Sequence, residues 1–197
     1  MDISKGIRES FELYRQNFST LILATLVVAV GSLVTAGILA GPLVGGLLML
    51  CLKRMRGEHA GVNEVFAYFN KFVPTFLIVV AMWIAMFIAG ALGSIPLVGF
   101  LVQIAVGPAV GILFILAIGL IVEGNLEPMA ALKQALQYFM TDPVRIWLYS
   151  FVIGLLSGIG AILFVIPVIL TMPLGATGMA IAYRELSSRE VGAITAK

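Results

Sequence analysis

Apolar residues run through this chain in long blocks, and charge appears only between them. Phe18–Leu52, Phe72–Val122 and Ile146–Tyr183 hold no Asp, Glu, Lys or Arg over 35, 51 and 38 residues. The 51-residue block is long enough for two helical passes of about 20 residues and a turn around Ser94–Gly99. The first block leaves about 15 or 16 residues per pass, and at about 1.5 Å per residue each reaches roughly 24 Å. That is short of a hydrocarbon core of roughly 30 Å. Thinning of the bilayer or snorkelling of Lys53, Arg54 and Arg56 closes the gap. Re-entrant hairpins are the competing account. The expectation is an all-α integral membrane protein with six transmembrane helices.

Ahead of each block the pattern changes from continuous to helical spacing. Ile3, Ile7, Phe11, Tyr14 and Phe18 recur every three or four residues between Lys5, Arg8, Glu9, Glu12 and Arg15. Val62, Val65, Phe66 and Phe69 form a second stripe, and Met129, Leu132, Leu136 and Phe139 a third. These predict amphipathic helices lying in the membrane surface. Ala131–Met140 can be laid on Gly6–Arg15 without a gap. Thr141-Asp142-Pro143 reads as a helix start, with Asp as the cap and Pro at the first helical position.

The returning passes share an opening. Gly41-Pro42-Leu43-Val44-Gly45 recurs as Gly107-Pro108-Ala109-Val110-Gly111, and more weakly as Met172-Pro173-Leu174-Gly175. The three prolines are spaced 66 and 65 residues apart. The chain is therefore read as one membrane domain, 1–186, made of three units near 2–58, 61–124 and 125–186. Each unit is an amphipathic helix plus a hairpin, which points to a pseudo-threefold arrangement. Residues 187–197 read as a flexible polar tail.

Composition agrees with this reading. Of 197 residues, 61% are hydrophobic and 11% charged, with mean hydropathy +1.11. A soluble domain carries about 25% charged residues. The N-terminal region, with Asp2, Glu9 and Glu12, does not resemble a cleavable signal, so the first pass is read as retained. All twelve basic and all ten acidic residues lie before the first pass, after the second, after the fourth, or from the end of the sixth. With an even number of passes every charge is on one side. The positive-inside rule makes that side cytoplasmic, with both termini there.

Candidate chemistry is sparse. No pass carries an ionisable residue at its middle, which weighs against ion-coupled transport. Gln103 is expected to be buried and to hydrogen-bond a neighbouring helix. His59 sits in a polar connection without a ligand cluster, and Cys51 has no base beside it. Catalytic residues, metal ligands and cofactors are expected to be none. Lys53, Arg54 and Arg56 abut the membrane and suit topology determination or lipid headgroups better than nucleic acid. Small-residue steps stand out most: Gly37, Gly41 and Gly45, Gly107 and Gly111, Gly154 and Gly158. Beside Pro42, Pro108 and Pro173 they predict close helix packing. The polar residues left inside the passes include Ser32, Thr35, Ser150 and Thr171.

The stretch Phe11–Phe18, the Gly41-Pro42 pass ending in Arg54-Met55-Arg56-Gly57-Glu58, Ile95–Gly99 and Ala182–Leu186 carry a resemblance. The pattern resembles bacterial inner-membrane families, including the membrane domain fused to some glycerophosphodiester phosphodiesterases and related domains of unknown function. The resemblance implies a fold and a cytoplasmic membrane, and no reaction. The function expected is a non-enzymatic membrane module that packs with lipids, a second copy or a membrane-protein partner. A carrier or channel for a neutral or lipid-like solute is the alternative.

Overall fold

The computed structural model describes the backbone of residues 3–91, 96–162 and 165–195, with side chains for 4–91, 101–157 and 171–188. It is helical throughout these residues, with no strand. The helices are α1 (Ile3–Gln16), α2 (Phe18–Val34), α3 (Ala40–Met55), α4 (Phe72–Ala91), α5 (Pro96–Val122), α6 (Pro128–Thr141), α7 (Pro143–Ile162) and α8 (Val165–Thr195).

The centre of the molecule is α3. Eleven of its sixteen residues are buried, including every position from Gly41 to Leu52 except Val44. Pro42 falls in its first turn, where a backbone N–H has no helical partner to lose. Pro108 and Pro173 lie inside α5 and α8 instead. Helices α3, α5 and α8 touch one another, and α2, α4 and α7 each lie against two of those three. Helix α1 packs chiefly on α8, and α6 on α5.

Two predicted boundaries are found where expected. Helix α1 stops at Gln16 and the chain turns by 97° into α2. Helix α6 stops at Thr141 and the chain turns by 102° into α7, where the Asp142 carboxylate accepts the Arg145 N–H at 3.4 Å. Pro143 opens α7.

Three expectations change. Among the described residues two stretches are long and apolar enough to cross a membrane, Val62–Ala91 and Leu101–Val122. Counting each bent pair as one span raises that to four, fewer than the six expected. Helix α3, at sixteen residues, rises about 24 Å, and it is wrapped by protein. The amphipathic helix expected near Val62–Phe69 is instead two 3-10 turns, Val62–Phe66 and Phe69–Lys71. Only ten residues separate Gly61 from Phe72, where α4 begins, too few for a three-turn helix and its caps. Residues 187–195, read as a polar tail, continue α8 as helix. Of the turn expected around Ser94–Gly99, Ser94 and Ile95 lie outside the described residues, and Pro96 onward is already α5.

Candidate functional site

The glycine steps divide into two groups with opposite surroundings. On the α3 side they are contact points. A Cβ at Gly41 would stand 2.8 Å from the backbone carbon of Thr75 on α4, and one at Gly45 would stand 2.7 Å from Val122 on α5. Gly46, which the spacing did not single out, meets the backbone of Val65. Gly37 has φ +84 and faces the Trp83 ring at 2.8 Å, so both conformation and space require glycine there. On the α5–α7 side no such contact is made within the chain. Gly107, Gly111 and Gly154 have nothing within 4 Å of a Cβ position. Gly158 lies outside the residues whose packing is described. Pro42 and Pro173 are buried and Pro108 is half-buried.

Instead of packing, Gly107, Gly111 and Gly154 open a groove of about 460 Å³ between α5 and α7, lined also by Gln103, Ser150 and Phe151. The open face follows from side-chain size: three glycines withdraw the wall along both helices. Around Pro108 the helices are held by two polar links. Trp147 Nε1 donates to the Ala105 carbonyl at 2.7 Å, and buried Ser150 Oγ donates to the Pro108 carbonyl at 2.8 Å. Proline removes one hydrogen bond from the α5 ladder, and these donors anchor the same turn from outside. Gln103, expected buried, is exposed at the groove and has no hydrogen-bond partner among the described residues. The lack of a facing side chain at Gly107 leaves it open.

The charged residues collect at one end of the helices. Lys53 Nζ donates to Glu64 Oε1 at 2.7 Å, Arg56 pairs with Glu123, and Arg184 pairs with Glu9 at 2.5 Å. Arg54 Nε donates to the Ala60 carbonyl at 2.9 Å. The three bases singled out by sequence are thus all engaged within the protein. Their hydrogen-bonded acid partners hold both Lys53 and Arg56 above their ordinary pKa values, partial burial acting against this. His59 is exposed in the loop beyond, and Cys51 is fully buried. Among the described residues no three His, Cys, Asp or Glu side chains gather as metal ligands.

Sequence reading missed which face of each amphipathic segment docks. Gly6, Ser10 and Leu13 of α1 are buried, while Phe11 and Phe18 are 57% and 48% exposed. Ala131, Ala135 and Tyr138 of α6 are buried, while Met129, Leu136 and Met140 are exposed. Each helix thus docks through two small residues and one large one, Gly6, Ser10 and Leu13 or Ala131, Ala135 and Tyr138, while Phe11, Phe18, Met129, Leu136 and Met140 point away. The signal was in the chain: Gly6, Ser10 and Leu13 fall on Ala131, Ala135 and Tyr138 in the gapless overlay. The α1 dock is tight, since a Cβ at Gly6 would stand 2.7 Å from the Tyr149 ring. Thr177 Oγ1 also donates to the Ser10 carbonyl at 3.3 Å.

The chain matches no protein-family model, no curated protein and no solved structure.

Proposed function

We propose that this chain is a non-enzymatic integral module of the cytoplasmic membrane, with its charged end and both termini in the cytoplasm and its outer faces packed with lipid. One observation carries the reading. Charge and ion pairs are gathered at one end, while Leu33, Val34, Ile84, Phe87 and Ile88 are exposed on helices without charge. Exposed apolar surface of that kind is tolerated when the solvent is hydrocarbon. The outward Phe11, Phe18, Phe66, Phe69, Met129 and Leu136 suit the acyl–headgroup boundary, where amphipathic segments lie. The likeness to phosphodiesterase membrane domains belongs to the same proposal.

A threefold repeat is part of this reading. Helices α3, α5 and α8 are the equivalent inner helices, and each amphipathic segment packs on the inner helix of the unit before it, α1 closing the ring on α8. Lys53 and Arg184 both stand eleven residues after their prolines and pair with Glu64 and Glu9 of the next segment. The third such position is Gly119, and Gln134 takes the place of the acid. Where the base is lost, the acid is lost with it. The alternative, a carrier for neutral or lipid-like solutes, is favoured by the open Gln103–Ser150 groove.

Buried Cys51 leaves the protein silent to thiol reagents, so a cysteine at exposed Glu58 reports orientation. An impermeant maleimide labels Glu58→Cys only after the cells are opened. Labelling in intact cells overturns the orientation, and release of the protein by alkaline carbonate overturns the membrane reading.

A further inference from the structure

Hydroxyl groups inside helices ordinarily turn back onto the carbonyl three or four residues earlier when nothing else is near. This chain does so repeatedly: Ser10 donates to Gly6, Thr35 to Gly31, Thr75 to Lys71 and Ser157 to Ile153, all at 2.7–2.8 Å. The hydroxyls of α2 do not: Ser19 and Thr20 stand at its outer start, and Thr25 and Ser32 lie further in. Thr25 is 6% exposed, and its Oγ1 is a buried oxygen without a hydrogen-bond partner among the described residues. Ser32, two turns further along the same face, has no side-chain hydrogen bond among them either.

Both residues line one open cavity of about 710 Å³, flanked by Leu47 of α3, Trp83 of α4, and Met172 and Ala176 of α8. Its volume lies within the range of about 300–1,000 Å³ usual for small-molecule sites. Among the described residues no charged side chain lines it. Its end is the tight connection after α2, where Ala36 and Gly37 both hold positive φ, 49 and 84, and the Trp83 ring covers Gly37. These two residues end α2 as a left-handed cap, the Ala36 and Gly37 N–H groups donating to the Leu33 and Ser32 carbonyls.

We propose that this cavity binds an uncharged lipid from the surrounding membrane, an apolar chain with a hydroxyl or ester head such as an acylglycerol or long-chain alcohol. The inference rests on the membrane reading above. Thr25 and Ser32 hydrogen-bond the head, while Val28, Leu47, Met172 and Ala176 flank the chain. A charged head is excluded, because the walls offer no counter-ion and an unpaired charge there is far costlier than an unpaired hydroxyl.

The chain has two tryptophans, so Trp147→Phe leaves Trp83 at the cavity as the sole indole reporter. The full-length protein in phosphatidylcholine vesicles is titrated with monoacylglycerol brominated along its chain, and Trp83 fluorescence is read. Saturable quenching at low mole fraction is expected, weakened roughly fivefold by Thr25→Val, the loss of one hydrogen bond. Brominated phosphatidylglycerol, with a charged head, is expected to quench only in proportion to its mole fraction. Thr25→Val should keep or raise the melting temperature without ligand, since it removes an unpaired buried hydroxyl. A lowered melting temperature makes the hydroxyl structural and overturns the proposal. Equal quenching by a brominated alkane, or by the charged lipid, overturns head recognition. Failure of every brominated lipid, phosphatidylcholine included, to quench exposed Trp83 sinks the membrane reading itself. Quenching by phosphatidylcholine without saturable quenching by the acylglycerol sinks the cavity alone.

Discussion

Gly41 and Gly107 occupy the same place in the repeated Gly-Pro-x-x-Gly pattern, and the fold gives them opposite surroundings. At Gly41 a new methyl would stand 2.8 Å from the Thr75 backbone carbon and 2.9 Å from its Cβ. Thr75 is fully buried, and its hydroxyl is committed to the Lys71 carbonyl at 2.8 Å, so it cannot swing aside. Overpacking of this kind costs about 1–3 kcal/mol. Gly41 lies in the first turn of α3, where better helix propensity returns little. At Gly107 a methyl meets nothing within 4 Å, and the position is in the interior of α5. Replacing glycine there gains about 0.5–1 kcal/mol from the restricted unfolded chain. For a chain of this length each kcal/mol moves Tm by about 2–4 °C. Gly41→Ala should therefore lower Tm by roughly 2–12 °C, and Gly107→Ala should raise it by roughly 1–4 °C. Differential scanning fluorimetry of the purified protein in mild detergent measures both. Losses of equal size in the two variants would refute the reasoning, because the Gly107 face would then be packed against another surface.

Ser150→Ala removes the 2.8 Å donor to the Pro108 carbonyl, which the α5 ladder still engages, and should cost about 0.5–1.5 kcal/mol in the same assay, whereas Ser150→Thr should retain most of the stability. The pH response follows from Lys53. Hydrogen bonding to Glu64 raises its folded-state pKa above the ordinary 10.5, so the pair's contribution is complete below about pH 10.5. It is lost as pH rises through the higher folded-state value, because the folded state then holds its proton more tightly than the unfolded state. The Tm difference between the native chain and Lys53→Met should be constant from pH 7 to about 10 and shrink above that. A difference that shrinks on acidification within that window would contradict it.

What could be read from the chain was whatever depends on the sum of a segment's composition. Charge-free blocks located the apolar helices, Asp142-Pro143 located a helix start, and the break after Gln16 followed from a change of period. These are local or additive properties. Packing is neither, and the glycines demonstrate it. Gly41-Pro42 and Gly107-Pro108 are alike in sequence, but what stands opposite them is set by α4 in one case and by further glycine, Gly154, in the other. A small-residue step says that close approach is allowed, and only the partner decides whether it happens.

The same limit explains Gln103 and the docking faces. An amide in an apolar run was expected to find a partner, since an unpaired one is costly in hydrocarbon. The alternative, an opening beside it, needs Gly154 of α7 as well as Gly107 one turn away, and that pairing leaves no mark near residue 103. For α1 and α6 the apolar stripe was read as facing the membrane surface, where Phe11 and Leu136 are indeed turned outward from the bundle, and the docking face was not read. That face carries Gly6, Ser10 and Leu13, matching Ala131, Ala135 and Tyr138: small residues at two positions allow the close approach and a large one fills the third. Unpaired hydroxyls extend the argument. Most described helix hydroxyls bond back to their own helix or to a neighbouring one, so Thr25, buried as well as unpaired, and Ser32 beside it become informative only once that accounting is done. No pattern of residue types could separate Thr25 from Thr75. The three-dimensional accounting of donors does, and it places the unpaired pair in one cavity.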